Sequence, residues 1–184
     1  PSGAELLDET SQWLLVREHW DKFELDYYRP SNNPTKFIRA LLQHFSKLKD
    51  EEIAPEKYLE YAEGLKAAGD DMEASGGKSK KKKMEDGEWK IEPDEIKRIS
   101  EVANAYHIYQ QLLLDNDKMD FGDLINYCLK LFRDRPNILK KYQQQFKYIL
   151  VDEFQDTNWA QYDLVKMLAQ PANNLTVVAD DDQS

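Results

Sequence analysis

The chain has 184 residues, 41% of them hydrophobic, and its 25 basic and 35 acidic side chains give a net charge of -10. This composition supports a packed core, and the acidic balance argues against a protein that coats nucleic acid non-specifically. No apolar stretch approaches the ~20 residues that a membrane span needs, and the single cysteine, Cys128, cannot form an internal disulfide. We therefore expect a soluble, cytoplasmic chain with no membrane partner.

Most of the chain has the apolar spacing of amphipathic helices. The predicted helices, in chain order, cover residues 5–20, 35–48, 55–68, 93–115, 120–133 and 136–145. Pro55 suits the first turn of its helix, and Asp120 is a suitable N-cap. Residues 69–88 are rich in glycine, lysine and acidic side chains, so they do not bury enough apolar surface to order themselves. We predict a mobile loop there.

Two short apolar runs near the carboxyl end each lead into acidic residues. Residues 148–151 precede Asp152 and Glu153, and residues 175–179 precede a second acidic run. Such runs are typical of strands buried on both faces of a parallel sheet. The intervening residues 158–170 suit a crossover helix with one covered face. The pattern predicts a βαβ unit whose two acidic ends lie side by side.

Carboxylates at the carboxyl ends of parallel strands point to a particular chemistry. They can hold a magnesium ion and polarise a water molecule, as nucleoside triphosphate hydrolysis requires. Asp152 and Glu153 after a buried strand form the Walker B arrangement. The alternative is a strand that simply ends in a solvated acidic turn.

Other residues that invite a functional interpretation are better explained by structure. Residues 76–79 contain the G-K-S letters of a phosphate loop, but no strand precedes them and four lysines follow. Those lysines favour a solvated tether over a phosphate contact. Cys128 lies on an apolar helix stripe, which indicates a small buried hydrophobe. The three histidines share no ligand spacing, and the aromatic residues at helical spacing are assigned to the core, although Tyr106, Tyr109, Trp89 and Trp159 could stack on bases.

The two acidic motifs resemble those of a known family. The segments V-D-E-F-Q-D-T-N (151–158) and V-V-A-D-D-D-Q-S (177–184) are similar to motifs II and III of the UvrD/Rep-type superfamily 1 DNA helicases. Upstream, residues 119–125 resemble the aspartate-phenylalanine segment of this family, and residues 33–42 and 46–50 resemble its helical 1B insertion. The family commonly has glycine at the position of Ala179, and this small substitution does not weaken the resemblance.

This resemblance implies a fold and a domain division. It implies an α/β protein that is mostly α, with a helical insertion followed by a βαβ slice of a parallel RecA-like P-loop NTPase sheet. Residues 1–117 would form the 1B-like subdomain, and residues 118–184 would form part of the 1A motor domain. Because complete helicases of this type need four subdomains, we expect the chain to be part of a longer protein.

The resemblance also assigns roles to the motif residues. Asp152 would hold the Mg2+ ion that bridges the β- and γ-phosphates of ATP, and Glu153 would orient or deprotonate the attacking water. Gln183 would sense the γ-phosphate and link it to the DNA path. Gln155 would contribute to nucleotide binding and, together with Asp156, would lock the two motifs to each other.

The resulting prediction is an ATP-dependent DNA helicase that moves 3′ to 5′ on single-stranded DNA and unwinds duplex DNA in repair or replication restart. A monomeric chain without a Walker A loop and a second motor domain should be inactive alone and should bind nucleotide weakly. Three alternatives stay open. They are the helicase part of a nuclease-fused recombination enzyme, a non-catalytic DNA- or protein-binding module, and an interaction domain formed by the helical part.

Overall fold

The structure, a computed structural model, describes residues 3–74 and 92–180. Within those ranges the protein is of the α/β class and is mostly helical, with two small parallel sheets. The helices are α1 (Glu9–Glu18), α2 (Ile38–Asp50), α3 (Pro55–Ala74), α4 (Pro93–Asp115), α5 (Phe121–Asp134), α6 (Pro136–Gln145) and α7 (Trp159–Ala169). The strands are β1 (Glu5–Leu6), β2 (Lys118–Met119), β3 (Ile149–Val151) and β4 (Leu175–Val177).

The predicted helices are largely confirmed, and their ends follow local chemistry. Pro93 and Pro136 occupy the first turns of α4 and α6, where a missing backbone N–H costs nothing. Asp120 caps α5 as predicted, with its side chain accepting from the backbone of Asp123 while the Asp123 side chain accepts in return. The predicted crossover helix is α7, which begins with a similar capping box at Asn158.

Two predicted boundaries near the amino end and in the middle of the chain are wrong. Residues 5–20 do not form one helix, because Glu5 and Leu6 pair in parallel with Lys118 and Met119 and α1 begins only at Glu9. The loop predicted from residue 69 begins later, because α3 continues to Ala74. The remainder of that predicted loop, including the lysine run, lies outside the described residues.

The chain divides into two compact units. The helical unit consists of Ser11–Leu42 and Ala54–Asn116, and the motif unit consists of Pro1–Thr10, Gln43–Ile53 and Asp117–Ser184. The chain passes from the helical unit to the motif unit between Asn116 and Asp117. Residues 1–10 and 43–53, however, join the carboxyl-terminal segment.

The helical unit has its core between α3 and α4. The fully buried side chains on α4 include Tyr106, Tyr109, Leu112 and Leu113. Tyr109 also donates through its hydroxyl to Gln12 Oε1 at 3.2 Å. Burial of Tyr106 and Tyr109 supports their assignment to the core, since base stacking requires an open ring face.

Apolar exposure in the motif unit differs from the prediction. β3 and β4 pair in parallel as predicted, but they are not buried on both faces: Leu150 is 77% exposed and Val177 is 46% exposed. The described part of this sheet has only two strands, so it lacks the neighbours that cover strands in larger sheets. On α5, Leu129 and Phe132 are buried as predicted, whereas Phe121, on the first turn, is 62% exposed. No helix in the described ranges is long and apolar enough to cross a membrane.

Candidate functional site

The parallel pairing of β3 and β4 brings the two acidic segments to the same edge, as the sequence predicts. Val151 lies opposite Val177 in the register, and the N–H of Val178 donates to the carbonyl oxygen of Val151 at 2.8 Å. After β3 the chain turns back across the end of β4, where the N–H of Phe154 donates to Val178 O at 2.9 Å. The residues that follow the two strands are thus joined by the backbone itself.

The turn after β3 has an unusual backbone conformation. Glu153 has φ 51° and ψ 44°, in the left-handed region that non-glycine residues rarely adopt. Its N–H donates to Asp152 Oδ1 at 3.0 Å, and its carbonyl oxygen accepts from the N–H of Asp156 at 2.9 Å in a short 3-10 turn, Phe154–Asp156. Strained residues of this kind cluster at functional sites. The turn presents both acidic side chains, which are exposed, toward solvent.

Gln155 connects the turn after β3 to the chain after β4. Its Nε2 donates to Glu153 Oε2 at 2.6 Å, and its Oε1 accepts from the N–H of Asp180 at 3.0 Å. One side-chain amide therefore orients the Glu153 carboxylate and also joins the two motif segments. The role predicted for Gln155 in locking the motifs together stays a prediction that these contacts support. The N–H of Asp156 donates within the turn, to Glu153 O, and the role predicted for Asp156 in joining the motifs stays a prediction.

The site suits a magnesium ion that keeps most of its water ligands. Among the described residues there is no cluster of three metal-ligating side chains, so a cage made entirely of protein ligands is not formed by them. Mg2+ in nucleotide sites is usually held by one or two carboxylates together with phosphates and waters. The exposed Asp152 carboxylate, held by one backbone N–H, fits that requirement. Gln183 lies outside the described residues.

Comparison with known proteins identifies the family. The model of the UvrD/REP helicase N-terminal domain matches residues 2–184, which is nearly the whole chain. The chain belongs to this family. The resemblance of its motifs to the UvrD/Rep-type helicases is thereby confirmed.

Several relatives align with about half of this member of the UvrD/REP family at close to 50% identity. The ATP-dependent DNA helicase PcrA of Bacillus subtilis is 48% identical over 99 residues, covering 50% of this chain and 13% of the relative. The PcrA of Leuconostoc citreum is 52% identical over 83 residues, covering 45% of this chain and 11% of the relative. The PcrA of Staphylococcus aureus is 53% identical over 83 residues, with the same coverage. The chain thus spans only a small part of the length of these relatives.

Three hydrogen bonds made by two adjacent residues of α2 in this UvrD/REP domain were not predicted from its sequence. The carboxylate of Asp50 accepts from Asn158 Nδ2 at 2.7 Å, and Lys49 Nζ donates to Asp120 and Asp123 at 2.6 and 2.8 Å. The residue pairs are separated by 71 to 108 positions, so no local pattern links them. The only signal was the resemblance of residues 46–50 to a family segment, which did not indicate their partners.

Other candidate residues of the domain have structural explanations. Cys128 is half-buried, and burial raises the pKa of its thiol, which disfavours the nucleophilic thiolate. His19 Nδ1 lies 3.1 Å from Leu15 O, within α1 and the turn that follows it. Burial, followed by the charge of Lys47, lowers the pKa of His44. Trp159 is 53% exposed at the start of α7, so its predicted place on the covered helix face is wrong. Trp89 lies outside the described residues.

Proposed function

We propose that this chain is part of an ATP-dependent DNA helicase and that its motif unit carries half of the ATP site. The observation that supports this most strongly is the acidic turn, residues 152–156, tied to the end of the neighbouring strand through Gln155. Clustered carboxylates at the carboxyl ends of parallel strands are what phosphoryl transfer to water needs. The relatives are named ATP-dependent DNA helicases, which agrees with the proposal.

Each residue of the site has a proposed role. Asp152 would hold Mg2+, which neutralises charge on the β- and γ-phosphates when it is bound. Glu153 would orient the attacking water and accept its proton, and Gln155 Nε2, 2.6 Å from Glu153 Oε2, would keep that carboxylate in position. Gln183 would sense the γ-phosphate and relay its presence to the DNA path.

The broader function extends the same proposal. The helical unit would be the 1B-like part and the motif unit part of the 1A motor domain of a longer, cytoplasmic protein. That protein would move 3′ to 5′ on single-stranded DNA and unwind duplexes during repair or replication restart. The 184-residue chain alone would be a monomer without ATPase activity, because the Walker A loop and the second motor domain are needed to complete the site.

The first test is the steady-state ATPase activity of the full-length protein that carries this chain, with and without single-stranded DNA. In the Glu153→Gln variant we expect turnover to decrease roughly 10²- to 10⁴-fold, the usual contribution of a general base. Binding of a fluorescent ATP analogue should persist, because Glu153 is not proposed to hold the nucleotide. Asp134→Asn is a charge-matched control, since Asp134 is exposed at the end of α5.

The outcomes separate the alternatives. DNA-stimulated hydrolysis that disappears in Glu153→Gln supports the motor. Full hydrolysis in that variant would remove Glu153 from the mechanism. If the wild-type protein does not hydrolyse ATP with DNA present, the non-catalytic binding module takes the place of the motor. Unwinding of 3′-tailed but not 5′-tailed duplexes would support the polarity, and degradation of linear DNA would favour the nuclease-fused enzyme.

A further inference from the structure

The carboxyl end of α2 is fixed by a well-defined helix-ending motif. The N–H of Ile53 donates to Leu48 O at 2.8 Å, and the N–H of Glu52 donates to Lys49 O at 3.1 Å. Glu52 has φ 54°, the left-handed conformation that this Schellman motif requires. The last turn of α2 therefore presents Lys49 and Asp50 in fixed directions.

Lys49 binds the first turn of α5. It is 3% exposed, and its Nζ donates to Asp120 Oδ2 at 2.6 Å and to Asp123 Oδ1 at 2.8 Å. Asp120 is the N-cap of α5, and Asp123 is the other half of its capping box. The side-chain amide of Asn126, one turn further along α5, donates to Lys49 O at 2.9 Å. Three residues of α5 are thus bound to one residue of α2.

Asp50 binds the first turn of α7. Its Oδ1 accepts from Asn158 Nδ2 at 2.7 Å. Asn158 is the N-cap of α7, its Oδ1 accepts from the N–H of Gln161 at 2.9 Å, and its own N–H donates to Gln161 Oε1 at 3.2 Å. The amide oxygen of Asn158 therefore caps the helix while its amide nitrogen binds the Asp50 carboxylate. Consecutive residues of α2 hold the N-caps of two helices.

The cap of α7 immediately follows the acidic turn. Thr157 separates Asn158 from the 3-10 turn Phe154–Asp156, and the rings of Phe154 and Tyr162 meet edge to face with centroids 6.4 Å apart. Displacement of the first turn of α7 would therefore displace the turn that carries Asp152 and Glu153.

Keeping a carboxylate at position 50 has a cost to the fold. Burial, followed by the neighbouring carboxylates of Glu51 and Asp120, raises the pKa of Asp50 above its ordinary value of 3.8. The ionised form is thus less favourable in the folded protein than in the unfolded chain. A charged hydrogen bond is nevertheless shorter and stronger than a neutral one, and it fixes the direction of its partner. An aspartate kept at position 50 despite this unfavourable free energy is consistent with a hydrogen bond that serves to position Asn158.

We propose that Asp50 is a positioning residue for ATP hydrolysis, acting through Asn158 to fix the acidic turn, residues 152–156. This inference rests on the proposed function of that turn. Because misplacement of a catalytic group by about 1 Å can reduce a rate 10²-fold, loss of the contact should lower kcat more than it changes the KM for ATP.

A double-mutant cycle in the full-length protein tests the contact. Asn158→Asp keeps a good helix cap but replaces the amide donor by a carboxylate that faces Asp50. We expect kcat to decrease about 10-fold or more in this variant and the KM for ATP to change less than about 3-fold. Adding Asp50→Asn restores a donor opposite an acceptor, so the double variant should return to within about 3-fold of wild type. Asn104→Asp, on an exposed position of α4, adds the same charge elsewhere as the control.

Hydrogen exchange provides a readout that does not depend on hydrolysis. The N–H groups of Phe154 and Asp156 are bonded to Val178 O and Glu153 O. In Asn158→Asp their exchange should accelerate about 10-fold or more, and the double variant should restore it. If Asn158→Asp does not fold, Asn158→Ser provides the same test, because serine also caps a helix but lacks the amide donor.

The results distinguish failure of this inference from failure of the proposed function. Unchanged exchange at the turn, or a double variant no better than Asn158→Asp, overturns the positioning role. Altered exchange with kcat unchanged in an active enzyme also overturns it, because the contact would then be structural only. Altered and restored exchange in a protein that does not hydrolyse ATP would refute the proposed function, and with it the catalytic role of Asp50.

Discussion

Gly122 lies in the first turn of α5, next to Lys49 of α2. A Cβ atom added there would lie 2.8 Å from Lys49 Cβ and 2.9 Å from Lys49 Cδ. Lys49 Cβ is attached directly to the α2 backbone, and the rest of its side chain is held by two carboxylates. Because neither contact is with the free end of a flexible side chain, Gly122→Ala should force α2 and α5 apart.

The size of the effect follows from three opposing contributions. Alanine is favoured over glycine within a helix by up to about 1 kcal/mol. Overpacking of a well-packed site costs about 1–3 kcal/mol, and loss or weakening of one charged hydrogen bond of Lys49 costs about 1.5–3 kcal/mol. Together these give a loss of about 1.5–5 kcal/mol, and we expect the free energy of unfolding to decrease by about 2–4 kcal/mol in Gly122→Ala, the middle of that range.

Gly64 is the matched control. It lies within α3, and a Cβ added there would meet no heavy atom within 4 Å. Gly64→Ala should raise the free energy of unfolding by about 0.5–1 kcal/mol. Urea unfolding of the purified chain, followed by circular dichroism, measures both variants. With a slope of about 2 kcal/mol/M, the midpoint should fall by about 1–2 M for Gly122→Ala and rise by about 0.3–0.5 M for Gly64→Ala.

The opposite signs are the essential result. If Gly122→Ala raised the free energy of unfolding as Gly64→Ala does, moving α2 away from α5 would have no energetic penalty. The close approach of the two helices would then not be the reason for a glycine at position 122. A loss of stability in both variants would show that helix propensity and local space do not determine the response at either site.

Three further predictions concern titratable groups. Lys49→Met should destabilise the chain by about 3–5 kcal/mol at neutral pH, because it leaves the carboxylates of Asp120 and Asp123 buried together without their cation. Burial raises the pKa of Asp123, so urea unfolding below about pH 4, where that carboxyl binds a proton, should show a smaller loss. Burial raises the pKa of Asp50, so the contribution of this residue to stability is greatest below pH 3.8 and decreases as the pH rises through its pKa in the folded protein. The Asp50→Asn variant should therefore become more stable relative to wild type as the pH rises from about 3 to about 7. A difference in unfolding free energy between the two proteins that does not change with pH would contradict the raised pKa. Burial also raises the pKa of the Cys128 thiol, so iodoacetamide should modify Cys128 more slowly than it modifies free cysteine at pH 8. A modification rate equal to that of free cysteine would show that the thiol is exposed and has an ordinary pKa.

Features set by neighbouring residues in the sequence were predicted well. The cap at Asp120 and the helix starts at Pro93 and Pro136 depend on chemistry within one turn, and each is found where the sequence indicates. The pairing of β3 with β4 also followed from a local pattern, because two apolar runs joined by one helix have few other ways to pack. The contact partners of Gln155 lie in the two motifs themselves, so its place between them is also a local feature, and its role in the site stays a prediction.

Features set by distant residues were missed. Glu5 and Leu6 form a strand only because Lys118 and Met119 lie beside them, and a two-residue strand has no periodicity to detect. The exposure of Leu150 could not be read from its apolar run, which indicates a strand but not the number of neighbouring strands that cover it. The roles assigned to Asp152, Glu153 and Gln183 stay predictions until the enzyme is assayed.

The buried charges between α2 and α5 are best understood as directional constraints. Removing Lys49 and two carboxylates from water is expensive, and well-packed apolar residues often provide equal or greater stability at such positions. Apolar side chains would allow α2 to slide or rotate over α5, whereas two hydrogen bonds to one ammonium group fix its position. The adjacent Asp50 extends that fixed geometry to the cap of α7. The acidic turn holds Glu153 in a left-handed conformation beside exposed strands, so α2 adds to the support that Gln155 and the backbone bond to Val178 provide. Lys49→Met should therefore increase hydrogen exchange at the first turn of α7 as well as at α5, even under conditions where the variant remains folded.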